Sequence, residues 1–160
     1  MWCLEIVKNE ELAKHYMQIG KYEKALVEID KLLSQKPNKA NYLYLRANCL
    51  NEISRYREAL AEIKDALKEG YSAVNGNNLM GIIYWNMQNY SEAKKCFEEV
   101  LRINSNSTEA LARLGYMQYK LNSKGDYGQI MEEALRLEPH NPTVLHVMFN
   151  YYKDKKIKRN

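Results

Sequence analysis

Proline, cysteine and glycine are scarce in this chain of 160 residues, at three, three and seven. With Gly and Pro so sparse, no Ser/Pro-rich linker divides the sequence, and its length suits one domain with a sizeable core. Cys3, Cys49 and Cys96 are odd in number and widely spaced, which excludes both a disulfide framework and a CxxC site. Cys96 follows Lys94 and Lys95, yet a small packed side chain is expected there rather than a reactive thiol. His15, His140 and His146 are scattered, and no Ser/His/Asp, Cys/His or Gly-rich phosphate motif occurs. No catalytic, metal or cofactor site is therefore expected. No apolar run approaches the ~20 residues that span a bilayer. The start, MWCLEIVKNEE, lacks the basic n-region of a signal peptide; the expectation is a cytoplasmic protein with no membrane partner. Charge of one sign is missing as well. The net charge is +4, and five basic residues crowd the last eight positions (Lys153, Lys155, Lys156, Lys158 and Arg159), leaving the rest near neutral.

What the chain does have is a repeat. The stretch Leu79–Val100 pairs two short amphipathic segments across Gln88 and Asn89. Steps of 34 residues carry Tyr90 back to Tyr56 and Tyr22, Ala93 to Ala59 and Ala25, and Phe97 to Ile63 and Ile29. A fixed period of this length signals stacked units that bury apolar faces against their neighbours. From Ile6, four units fit without a gap, at 6–39, 40–73, 74–107 and 108–141. Each reads as a helical hairpin. Second helices carry stripes such as Tyr22, Ala25, Leu26, Ile29, Leu32 and Leu33, at the 3.6-residue spacing of one face. Gly20 marks a turn, and Pro37 is read as a chain break. Ala13, Ala47, Gly81 and Gly115 form a column of small residues, as do Ala25, Ala59 and Ala93; small side chains let packed helices approach to the near end of ~8–10 Å.

Two places depart from the pattern. In KEGYSAVNGNN the third hairpin is expected to start late, near Asn77. In the fourth unit Tyr127 enters the alanine column, and Asp126 with Gln129 resembles a capping box that starts the helix about one turn late; a three-residue insertion is the alternative. Residues 142–155 read as a capping helix with the stripe Leu145, Met148, Phe149 and Tyr152, its Phe149 ring covering the fourth unit. Residues 156–160 form a basic tail. Nothing at the other end resembles a cap, so self-association through it is an open expectation.

The spacing resembles that of the tetratricopeptide repeat family, whose pattern is Trp-x2-Leu-Gly-x2-Tyr, then Ala-x3-Phe, then Pro. Gly81, Tyr84, Ala93 and Phe97 carry it in the third unit, and Leu111, Leu114, Gly115, Ala134 and Pro139 in the fourth. The first keeps Leu12, Ala13, Tyr16, Ala25 and Pro37, and the second Leu43, Ala47 and Ala59. The resemblance implies an all-α, right-handed superhelical solenoid. It also implies a scaffold that binds a peptide or helix of a partner protein on a concave groove lined by the first helices. The columns expected on that groove are mixed in polarity. They yield Tyr44, Asn48, Asn51, Asn78, Ile82, Trp85, Arg113, Tyr116, Tyr119 and Lys120 as candidate partner-binding residues. Asn amides both donate and accept, which suits a peptide backbone, and aromatic rings supply area with few rotors. Trp85 is the leading anchor, against the alternative that it packs near Tyr116 or Tyr119. The family's carboxylate clamp is not expected, since only Asn48, or Asn48 and Arg113 in a shifted frame, fit it. The alternative function is an RNA-binding helical repeat, suggested by Arg113, Tyr116, Tyr119 and Lys120. Against it, the columns balance three cations with four acids and offer no phosphate track.

Overall fold

The computed structural model describes residues 2–35, 38–122 and 127–157, with the side chains of all but Trp2, Cys3 and Ile157. Among the described residues there are nine helices and no strand. They are α1 (Trp2–Gln18), α2 (Tyr22–Gln35), α3 (Lys39–Glu52), α4 (Tyr56–Lys68), α5 (Ala73–Asn86), α6 (Tyr90–Ile103), α7 (Thr108–Leu121), α8 (Gly128–Leu137) and α9 (Pro142–Ile157). Tyr22, Tyr56 and Tyr90 each open a second helix, at 34-residue steps; α8 opens four residues beyond the next step. Pro37, Gly125, Asp126, Lys158 and Arg159 lie outside the described residues, and with them the chain break, the capping box and the end of the basic tail.

The turns show why the hairpins repeat. Gly20, Ser54 and Gln88, also 34 residues apart, all take left-handed backbone angles, with φ of 70°, 62° and 59°. The following N–H of each reaches back five residues, Lys21 to Tyr16, Arg55 to Leu50 and Asn89 to Tyr84, at 2.8 Å. Gly70, at φ 88°, repeats the arrangement between α4 and α5, where the Tyr71 N–H bonds to the Ala66 carbonyl at 2.9 Å. This is the Schellman ending, which satisfies orphan carbonyls and stops a helix sharply. Glycine takes this conformation freely, whereas Ser54 and Gln88 hold it against the clash of their own Cβ.

The chain divides into two compact units, Met1–Ile83 and Tyr84–Asn160. In the first, α1 packs on α2, α2 on α3 and α3 on α4. Ala13, Ala25, Ile29, Leu32, Tyr42, Ala47, Leu50, Ala59, Ile63 and Ile83 close its core. Arg46 on α3 spans its neighbours, with Nε 3.1 Å from Asp30 on α2 and Nη1 2.6 Å from Glu62 on α4. The third hairpin does not start late. α5 begins at Ala73, its first turn held by the Asn75 N–H on Ser72 Oγ at 3.3 Å and the Gly76 N–H on the Ser72 carbonyl at 2.8 Å. Gly76 is buried inside that helix, where a Cβ would stand 2.5 Å from Leu67 Cδ2 of α4. Its glycine serves a close helix approach, not a turn.

In the second unit α6 packs on α7, α7 on α8, and α9 on both α7 and α8. A Cβ on Gly115 would meet Met131 and Ile130 of α8 at 3.1–3.3 Å, so the small column does mark a tight crossing here. The capping helix differs from expectation. α9 buries Val144, Val147, Met148 and Tyr151, while Leu145, Phe149 and Tyr152 are exposed. The two stripes differ by one residue, a rotation of about 100°, and both are apolar. No described helix is long and apolar enough to cross a membrane.

Relieving the left-handed strain is a direct test of the turns. Ser54→Gly and Gln88→Gly should each raise stability by about 0.5–1 kcal/mol, the Cβ clash removed less the extra chain entropy of glycine. Urea midpoints of the single variants check this, and a lower midpoint for both would count against the assigned turn.

Candidate functional site

The ten expected contact residues do not share one environment. In the first unit Tyr44 and Asn48 on α3 and Asn78 and Ile82 on α5 are half-buried. Asn51 is buried, its amide donating to Glu52 at 3.3 Å. Tyr44 stacks on Tyr71, from the α4–α5 turn, with centroids 4.4 Å apart and planes at 19°. The ring stack therefore joins α3 to the turn that leads into α5. Burial lifts both phenols above the ordinary tyrosine value; at Tyr44 the nearby Tyr71 hydroxyl opposes the shift, and at Tyr71 the neighbouring Tyr44 adds to it.

In the second unit packing uses most of the residues expected at the surface. Arg113, Tyr116 and Tyr119 are buried. Arg113 lies over the Phe97 ring at 5.8 Å, with Glu109 3.6 Å away. Tyr116 donates to Asp154 Oδ2 at 2.9 Å, and Lys120 bonds to the same oxygen at 2.9 Å while facing the Tyr90 ring at 5.2 Å. Burial lowers the Lys120 pKa, but Asp154 and Tyr90 outweigh it and leave it raised. Trp85 is half-buried against Tyr116, centroids 5.1 Å apart, and an aromatic chain continues through Tyr119 to an edge contact with Tyr151 at 4.9 Å. These four corrections to a surface reading, at Asn51, Arg113, Tyr116 and Tyr119, share a cause. A column of mixed polarity also arises where long side chains pack their stems and direct their polar ends to partners.

Asp154 was missed as a structural partner, although its signal was present. It is one 34-residue step from Lys120, with opposite charge, and consecutive members of one column on packed helices can pair. The Tyr71 stack had no such signal, because Tyr71 lies in a turn outside the helical columns. An open hollow of about 300 Å³ lies between Ser105–Thr108 and Leu137–Glu138; it contains none of the ten.

The titration shifts run away from reactivity. Burial, with Glu52 nearby, pushes the Cys49 thiol up to about 12. Burial and the bond to Glu10 push Tyr42 up to about 12, and burial with Asp154 raises Tyr116. Among the described residues no group of three or more His, Cys, Asp or Glu is placed to hold a metal ion.

Two outcomes follow. Trp85→Ala should lower stability by about 1–3 kcal/mol, less than the ~3–5 of a fully buried ring. A urea midpoint left unchanged would return the indole to a ligand role. The raised tyrosines fix the alkaline limb of stability. The folded chain holds phenolic protons that the unfolded chain releases near pH 10, so this contribution is fully present below that value and is lost above it. Stability should fall as pH rises from about 10 through 12, and equal urea midpoints at pH 9 and pH 11 would contradict the burial of these rings.

Solved structures share this fold. MamA residues 41-end from Desulfovibrio magneticus RS-1 superimposes with a TM-score of 0.75 at 19% identity, over 94% of this chain and 86% of that one. A thermophilic TPR protein from Thermus thermophilus gives 0.76 at 16% identity, over 94% and 82%. The first TPR of Spaghetti (RPAP3), solved bound to the HSP90 peptide SRMEEVD, gives 0.66 at 23% identity, over 74% and 96%. The comparison with curated proteins finds no match. These likenesses place the chain in the all-α helical-repeat solenoid class. Residues 15–149 match the model of the Psidin N-terminal TPR repeats region, and the protein belongs to that tetratricopeptide repeat family.

Proposed function

We propose that the protein is an interaction module that holds a peptide or helix of a partner protein against the outward faces of its first helices. The observation that carries this reading is in the first unit, where Tyr44, Asn48, Asn78 and Ile82 stay half-exposed beside a closed core. The Tyr44–Tyr71 stack braces this surface, and bracing in advance lowers the ordering cost of binding. Asn48 and Asn78 supply amides for an extended backbone, and Ile82 and the Tyr44 edge supply apolar contact. A neighbour of the same fold, RPAP3, holds an HSP90 peptide, which supports the general mode. A carboxylate clamp is not part of the proposal, because Arg113, a cation such a clamp would need, is buried against Phe97. The RNA reading loses its residues in the same way: three of its four are buried, and Lys120 is bonded to Asp154.

Affinity capture from nuclease-treated extract of the source cells tests the reading. The wild-type chain should retain specific proteins that Asn48→Ala combined with Asn78→Ala recovers about tenfold less, a loss of ~1.4 kcal/mol. Alanine suits a helix better than asparagine, so the melting temperature of the Asn48→Ala single variant, which should lose recovery in the same direction, should hold. Equal recovery by both chains would sink the proposal.

A further inference from the structure

The outer face of α9 presents a second surface with its own chemistry. Ala13, Ala47, Gly81 and Gly115 are buried at 34-residue steps, and at Gly115 the helix lying over that position is α8. The next step is Phe149, which is 63% exposed, with Leu145 at 45% and Tyr152 at 49% on the same side. No described helix covers Leu145 or Phe149, and at the edge of the face the Tyr152 hydroxyl donates to Glu132 of α8 at 3.2 Å. The helix cannot turn this face inward, because Val144, Val147, Met148 and Tyr151 are buried and Asp154 is tied to Tyr116 and Lys120 of α7. Helical spacing sets Lys153 and Lys156 within about 40° of Phe149. Both are exposed, and Asp154 is the one acid in α9, so the face is an apolar strip of Leu145, Phe149 and Tyr152 with lysines along it on one side.

We propose that this face seats an amphipathic helix of a partner protein, acidic where it meets Lys153 and Lys156 and carrying alanine or glycine where it crosses Phe149. The fold supplies the helix: in α7 the same position is covered by the second helix of the hairpin. The ring supplies the small residue, because Phe149 fills space that Gly115 leaves to α8. Lys153 and Lys156 call for the acidity. A second copy fits less well. Two α9 faces would oppose cation to cation. The exposed Leu4 and Val7 of α1 are flanked by Lys8, Glu11 and Lys14, with no excess of acid. The seat shares no residue with the Tyr44–Asn48 surface.

The test uses the whole chain and two labelled peptides built on the α4 sequence, residues 56–68. In the acidic peptide Arg57, Lys64 and Lys68 become Glu; in the basic one Glu58, Glu62 and Asp65 become Lys. Fluorescence anisotropy should show saturable binding of the acidic peptide at least tenfold tighter than the basic. Phe149→Glu should weaken it at least tenfold, and Lys153→Glu with Lys156→Glu should reverse the preference, both with unchanged circular dichroism and melting. Asn48→Ala should leave it unaltered. No saturable binding, equal binding of the two peptides, or indifference to Phe149→Glu would overturn the proposal. So would sedimentation with phosphatidylserine–phosphatidylcholine vesicles that Phe149→Glu abolishes and the acidic peptide does not compete, which would assign the face to an anionic bilayer.

Discussion

The close approach of neighbouring helices governs the rest of the molecule. Two helices packed at the near limit leave no volume for a side chain at the crossing. Gly115 against Ile130 and Met131, and Gly76 against Leu67, show that limit directly. Once the crossing is tight, the chain between helices must reverse at once, and the left-handed residue at Gly20, Ser54, Gln88 and Gly70 does so. The two requirements recur together, so the period is a property of packing as much as of sequence.

Much of this was legible. Periodic apolar positions and small columns located helices and crossings, because both depend on side-chain size alone. The turns were half legible: glycine announces a left-handed backbone, but Ser54 and Gln88 adopt it under the pull of their neighbours and carry no mark. The face of α9 was not legible. Its two candidate stripes are equally apolar, and the choice falls to Asp154, which must aim at Tyr116 and Lys120 on α7. A pairwise bond between residues in different hairpins settled what periodicity could not.

The candidate surface shows the same limit. Counting polarity down a column treats each hairpin as an average one, yet each has particular neighbours. Tyr44 and Tyr116 are both first-helix tyrosines with raised pKa values. One stacks on a turn residue and keeps an open edge; the other is closed between Trp85, Asp154 and Lys120. The sequence names both as tyrosine, and only the neighbours decide which can meet a partner. Burial also ranks them chemically, since a phenol bonded to a carboxylate is spent as a donor.

The packing within each unit joins helices that are adjacent in sequence or one apart. Contacts so local close only short loops, and loop closure sets much of the folding barrier. A hairpin can therefore complete itself while the chain beyond it is still being synthesised, each finished pair offering a template to the next. The order in which ribosomes deliver the helices matches the order in which they are needed, and the exposure of unfinished apolar surface stays brief at every stage.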